Sequence, residues 1–232
     1  MDKRGRWLLI FLTFAAAANI VNFYFTSKKN EEGEAKANIQ KNEREARDAT
    51  RKLPLQSGDI IFQTSESSQS QAIQLATHSP YSHCGIIFKY DQDYFVYEAS
   101  SKVRELALDR WIAQGKDEAF VVKRLKDASK ILTPENLKKL HKAKDSFYQK
   151  EYDQYFNWSN DQIYCSELIW KMYRDALGIE IGKLELLKEF DFRDPVVGKL
   201  LKERYGNNIP YNDTVVSPAS IFNSDILTGV KL

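Results

Sequence analysis

The stretch SPYSHCGIIFKY, residues 79–90, sets a histidine and a cysteine side by side at the mouth of an apolar run. The run ends at the polar triplet Asp91-Gln92-Asp93, and YFVYEASS, residues 94–101, returns from it. Two such runs about a short polar turn form an antiparallel hairpin. Successive side chains of a strand point to opposite faces, so His83 and Cys84 are not expected to meet one target. If His83 is functional, its partner lies elsewhere in the chain.

Outward from the hairpin, LPLQSGDIIFQTS (53–65) passes through a turn at Ser57-Gly58-Asp59 into a buried strand. SSQSQAIQLATHS carries Ala72, Ile73 and Ala76 at helical spacing, and AFVVKRL (119–125) reads as a further strand. Thr133-Pro134-Glu135 is a helix start, with a capping hydroxyl and a proline where the missing N–H costs nothing. Leu137, Leu140, Ala143 and Phe147 then share one face, and the helix is expected to end near Tyr148. YCSELIWKMYRDALG (164–178) places Leu168, Ile169, Met172, Tyr173 and Ala176 on one stripe and closes on Gly178. Cys165 falls at its first turn. Val215-Val216-Ser217-Pro218 is expected to hold the final strand. The pattern is an α+β domain over residues 53–232, an antiparallel sheet packed on helices.

The beginning of the chain has a different character. Lys3, Arg4 and Arg6 precede WLLIFLTFAAAANIVNFYF, residues 7–25, an apolar stretch with small residues at Ala15 to Ala18. Residues 1–26 are therefore expected to be an apolar helix, either a secretory signal peptide or a transmembrane signal anchor. Either reading sends the remainder across a membrane, giving an exported protein, membrane-anchored or periplasmic/extracellular. No cysteine follows the apolar stretch, which excludes a lipoprotein anchor. Residues 27–52 mix both charges densely around a single isoleucine and read as a linker: a solvated helix or a flexible stalk. A net charge of +2, with no long basic run, excludes the electrostatic footprint of a nucleic-acid binder.

Two cysteines allow a disulfide, two inert thiols or one reactive thiol. Cys84, inside an apolar strand, reads as a small buried hydrophobe. Cys165 differs, because unsatisfied N–H groups and the positive dipole end at a helix start stabilise a thiolate. The same N–H groups can receive the negative oxygen formed when a carbonyl is attacked. A thiol of ordinary pKa also needs a base. Among the three histidines, His141 sits in a lysine-rich helix and reads as solvated, while His78 precedes Ser79-Pro80 in a loop. His83 opens a strand, where rigid placement suits proton transfer. Glu98, on the returning strand, is placed to orient the imidazole; the alternative is a carboxylate exposed at the sheet edge. No C-x-x-C, H-E-x-x-H or paired-histidine spacing occurs, nor a glycine-rich phosphate loop, so neither metal nor other cofactor is expected.

SGDIIFQ, AIQLATHSPYSHCGIIF, FVYEAS, IYCSELIWKMY and VVSPASIFNS, in that order over roughly residues 53–227, resemble the YiiX/YaeF-type permuted papain-like amidases. These are relatives of the NlpC-type cell-wall peptidases and of lecithin retinol acyltransferase. The resemblance implies a circularly permuted papain-like fold with Cys165 as nucleophile, His83 as base and Glu98 as orienting group. It also implies that Asp59, Tyr164 and Tyr81 line or brace the cleft. Where family members have an aliphatic residue after the histidine, this chain has Cys84, expected to leave the dyad undisturbed. The implied activity is that of a cysteine hydrolase, an amidase, peptidase or acyl ester hydrolase/acyltransferase acting on envelope peptides or lipids. The competing expectation is a membrane-tethered lipid- or peptide-binding module with a non-catalytic cleft.

Overall fold

The computed structural model describes residues 28–29 and 31–232. The expected signal peptide or anchor, residues 1–26, lies outside the described residues. Residues 31–50 form a helix (α1), exposed from 31 to 46. Lys41 and Glu45, 3.9 Å apart, and Arg44 and Asp48, 4.0 Å apart, pair across single turns, as a helix without an apolar stripe requires. Among the described residues no helix is long and apolar enough to cross a membrane.

The folded unit from residue 49 onward is organised by a six-stranded antiparallel sheet. Its strands are β1 (Ile60–Ser65), β2 (His83–Tyr90), β3 (Asp93–Ala99), β4 (Val103–Ala107), β5 (Gly115–Leu125) and β8 (Leu227–Gly229). They lie in the order β4-β3-β2-β1-β5-β8. A second sheet pairs β6 (Glu185–Leu186) with β7 (Thr214–Val215). The helices are α2 (Ser68–Thr77), α3 (Leu108–Ile112), α4 (Ala128–Ile131), α5 (Pro134–Ala143), α6 (Cys165–Leu177), α7 (Pro195–Tyr205) and α8 (Pro218–Phe222).

Strand alternation divides the core in two. Ile60, Phe62, Cys84, Ile86, Phe88, Tyr97 and Ala99 face one side and pack on Leu168, Ile169, Met172 and Tyr173 of α6. Ile61, Ile87, Val96 and Val122 face the other and meet Leu108 and Trp111 of α3. Each of these fully buried aliphatic or aromatic side chains is worth about 1.5–3 kcal/mol, so the sheet is held from both faces.

The hairpin, the α2 and α5 starts and the stripe of α6 follow the sequence pattern. Other elements do not. The final strand expected at Val215–Pro218 is a two-residue strand of the small sheet, and Ser217-Pro218 begin α8 instead. The last strand of the main sheet is Leu227–Gly229. α5 ends at Ala143, followed by a 3₁₀ turn over Lys144–Ser146, short of Tyr148. His141, expected in solvent, packs its ring 4.6 Å from that of Phe88, because the α5 face it shares looks onto the end of β2.

Candidate active site

α6 begins where it does because Tyr164 is extended (φ −103°, ψ 168°) and the Glu167 carboxylate, one turn on, accepts the Tyr164 N–H at 3.4 Å. It stops at Gly178, whose left-handed backbone (φ 69°) directs its N–H to the Arg174 carbonyl. Cys165 is thus the first helical residue. The entry to β2 is pinned just as locally. Ser82 Oγ accepts the Ser65 N–H at 3.1 Å and lies 2.6 Å from Ser70 Oγ, and His83 pairs with Gln63 of β1.

These two ends meet. Nε2 of His83 is 2.6 Å from Oε2 of Glu98, so Nδ1 is the nitrogen left to face the Cys165 sulfur, with which the imidazole hydrogen-bonds. Glu98 is buried and takes two more donors, Trp111 Nε1 and Arg104 Nε, each at 2.9 Å. The imidazole lies roughly parallel to the Trp111 ring, with centroids 5.8 Å apart. Three donors on one carboxylate fix the imidazole plane. Exposure of Glu98 at the sheet edge does not occur, since β4 and α3 cover it.

The charges follow from these contacts. Burial pushes His83 down, but the hydrogen bonds with Cys165 and Glu98 outweigh it and lift the imidazole to about 10. Burial likewise pushes Glu98 up, and the bonds from His83 and Arg104 bring it down to about 2. For Cys165 the first cause is a hydrogen bond from the Cys84 thiol; burial opposes it, and His83 adds to it, so the thiol lies well below its ordinary value. These directions favour a thiolate on Cys165, a proton on His83 and an ionised Glu98.

Cys84 corrects two expectations. Strand alternation does send its side chain to the α6 side of the sheet, into the buried cluster that holds Cys165, yet both it and His83 act on the Cys165 thiol. Its backbone N–H also hydrogen-bonds that sulfur. Cys84 is therefore more than a buried hydrophobe. Both cysteines are free thiols rather than a disulfide.

The remaining expected residues are placed variously. Tyr164 lines an apolar pocket of about 90 Å³ together with Cys165, Phe156, Leu201 and Val216, and its hydroxyl accepts the Val216 N–H at 3.1 Å. Asp59 lies at the far end of β1 from Gln63. Its carboxylate is held by Arg124 of β5 at 2.6 and 2.7 Å and by the Gln56 N–H at 2.9 Å, so it clamps β1 to β5 instead of lining the cleft. Tyr81 packs on Phe62 and on Phe222 of α8, centroids 5.9 and 4.4 Å apart, and braces the loop before His83 from outside the cleft. A polar cleft of about 600 Å³ opens on the imidazole side, lined by Gln63, Ser82, His83, Glu98, Gln114 and Tyr152.

Arg104, Trp111 and Tyr152 were not singled out by the sequence pattern. The alternation in VRELA (103–107), opposite the known strand 94–99, is the signal that places Arg104 across from Glu98. Trp111 stands in a five-residue helix, too short for a periodicity.

The chain is 47% identical over 175 residues to the uncharacterized protein YiiX of Escherichia coli strain K12, covering 75% of this chain and 85% of that one. It superposes on the crystal structure of metalloprotein yiiX from Escherichia coli O157:H7 with a TM-score of 0.73 at 47% identity, covering 76% of this chain and 96% of that one. Among the described residues of the present chain, no group of three or more His, Cys, Asp or Glu side chains is placed to hold a metal ion. Residues 54–231 match the family model for permuted papain-like amidase enzymes, and the chain belongs to that family, the YaeF/YiiX or C92 amidases.

Proposed function

We propose that the protein is a thiol hydrolase in which Cys165 is the nucleophile, His83 the general acid and base, and Glu98 the group that orients the imidazole. The thiolate attacks an amide or ester carbonyl and a C–S bond forms. His83 gives its proton to the departing nitrogen or oxygen as the C–N or C–O bond breaks. Water then attacks the thioester and returns a proton to His83, and the C–S bond breaks. The observation that supports this most directly is the convergence of a helix-start sulfur, an imidazole and a buried carboxylate on one point.

The surroundings favour a substrate of unlike halves. Cys165 lines the apolar pocket, which suits an apolar acyl part, while His83 lines the polar cleft, which suits a hydrophilic leaving group. An exported location, tethered or released outside the membrane, would supply envelope peptides or lipids of that kind. The test is turnover of N-acyl amino acids, short peptides and phospholipids by wild type and Cys165→Ser, followed by mass spectrometry. The reading predicts product release and an acyl adduct on Cys165, both lost in the variant. No turnover, with equally slow alkylation of Cys84 and Cys165, would instead indicate a binding module.

A further inference from the structure

The apolar pocket that holds Cys165 carries a cation in its wall. Apart from Cys165 and two tyrosines, the ionisable group lining it is the guanidinium of Arg204, in the last turn of α7; no aspartate, glutamate, lysine or histidine stands among the described residues of that wall. A cation so placed loses hydration that apolar neighbours cannot replace, and only a negative partner offsets the loss in full.

The chain does not supply that partner. Arg204 Nη2 donates to Gln69 Oε1 of α2 at 2.5 Å, and Gln69 is held in that orientation by its Nε2, 2.8 Å from the Tyr152 hydroxyl oxygen. The guanidinium carbon lies 5.0 Å from the centroid of the Phe156 ring. An amide oxygen and an aromatic face orient a guanidinium without neutralising it. Among the described residues no carboxylate forms an ion pair with Arg204, and no acceptor meets its Nε or Nη1. Asp153 is the acidic residue whose charge is felt there, but its two oxygens accept the N–H groups of Tyr155 and Asn157, at 2.8 and 2.7 Å, within its own loop. One N–H of Nη2 remains beside Nε and Nη1, so a full edge of the fork is open.

We propose that Arg204 is a specificity-determining residue that binds a carboxylate carried on the acyl half of the substrate, at the far end of an apolar segment that starts at the carbonyl attacked by Cys165. A planar fork matches a carboxylate through two parallel N–H···O bonds, which a neutral chain end cannot form. Gln69 and Phe156 hold the fork ready, so little ordering is left to the moment of binding. Burial lowers Arg204 from the ordinary arginine value, the mark of a charge short of hydration, and an arriving carboxylate offsets that cost. The inference rests on Cys165 being the nucleophile and adds a terminal charge to the apolar acyl part proposed above.

The test uses p-nitrophenyl monoesters of linear dicarboxylic acids, adipate through sebacate, beside the same esters with the free carboxylate capped as a methyl ester. Each pair differs by one charge. Wild type should favour the free acid over its capped twin, at the chain length that spans the pocket, by about 10- to 100-fold in kcat/KM, as one charge-assisted contact supplies. Arg204→Gln should bring that ratio to about one through a higher KM for the acid, and Arg204→Lys, with charge but no fork, should fall between. The ratio is taken within each protein, so a variant that is merely damaged lowers both esters together. A wild-type ratio near one at every length, or a wild-type ratio kept in Arg204→Gln, overturns the proposal. Should wild type hydrolyse neither ester faster than Cys165→Ser, the nucleophile is misassigned, and calorimetric binding of the monomethyl esters of the same diacids decides the carboxylate site by itself. Binding lost in Arg204→Gln supports the site, and equal binding or none in both proteins overturns it.

Discussion

Nε2 of His83 and Oε2 of Glu98 stand 2.6 Å apart on neighbouring strands, and the same carboxylate oxygen receives the Trp111 indole N–H at 2.9 Å. Strand β3 thus carries a fixed negative group to the imidazole, independent of any loop.

Glu98→Gln keeps the shape of this contact and removes its charge. Activity should fall within the roughly 10²- to 10⁴-fold range that a positioned base contributes. Stability provides a second readout. The Glu98 pKa is depressed from 4.5 to about 2 on folding, so its contribution is present above pH 4.5 and lost as pH falls toward 2. His83 is raised from 6.5 to about 10, so its contribution is complete below pH 6.5 and lost as pH rises through about 10. The difference in denaturation midpoint between wild type and variant should be greatest between pH 4.5 and 6.5 and narrow on both sides. A pH-independent difference would contradict the ion pair.

Cys84→Ala should move the Cys165 thiol upward, because the Cys84 hydrogen bond is the first cause of its low value. The iodoacetamide rate at pH 6 should drop relative to wild type, and the two should converge in alkaline solution. An unshifted rate profile would mean that His83 and the helix start suffice.

Gly85 lies between the two chemical residues of β2 and their continuation into the core. A methyl placed there would run into Val96 Cγ1 and lie 3.0 Å from the Tyr97 carbonyl, forcing β2 and β3 apart. Gly85→Ala should cost about 1–3 kcal/mol by overpacking, read as a lower urea midpoint, with activity falling alongside because His83 and Glu98 sit on the two displaced strands.

Lys171 and Glu167 form a nearly solvent-free pair one turn apart on α6, at 2.7 Å, and Lys171 Nζ also donates to Asn160 Oδ1 at 2.9 Å. Removing one member of a buried pair typically costs about 3–5 kcal/mol, and Lys171→Met should lose on that order. Burial already lifts Glu167 from 4.5 to about 7 with its partner present. A raised carboxyl contributes stability below pH 4.5 that is lost as pH rises through about 7, and without the cation that loss continues to higher pH. The gap between wild type and variant should therefore widen above pH 7 in chemical denaturation.

How much of this was legible in the sequence can be argued from single positions. The SHCGIIFKY hairpin and the stripe of α6 were readable because alternation and 3.6-residue spacing report directly on which face is buried. The setting of Cys165 was readable from its place ahead of that stripe. The clamp on Glu98 was hidden, since Arg104 and Trp111 lie on elements of five residues each and come to the carboxylate through sheet register and a short turn of helix. The reach of Cys84 to Cys165 was hidden for a related reason: alternation assigns a face, but not which helix ends above it. Asp59, in contrast, was implied by the family resemblance to line or brace the cleft, while the bonds from Arg124 give it a structural task.

The division of the surroundings into an apolar pocket at Cys165 and a polar cleft at His83 imposes an order of traffic on the proposed reaction. An acyl group bound to sulfur on the apolar side would remain behind while the hydrophilic fragment drifts into bulk. The second reactant would then come in through the polar cleft that the first fragment left, so occupancy of that cleft governs whether the thioester meets water or another acceptor.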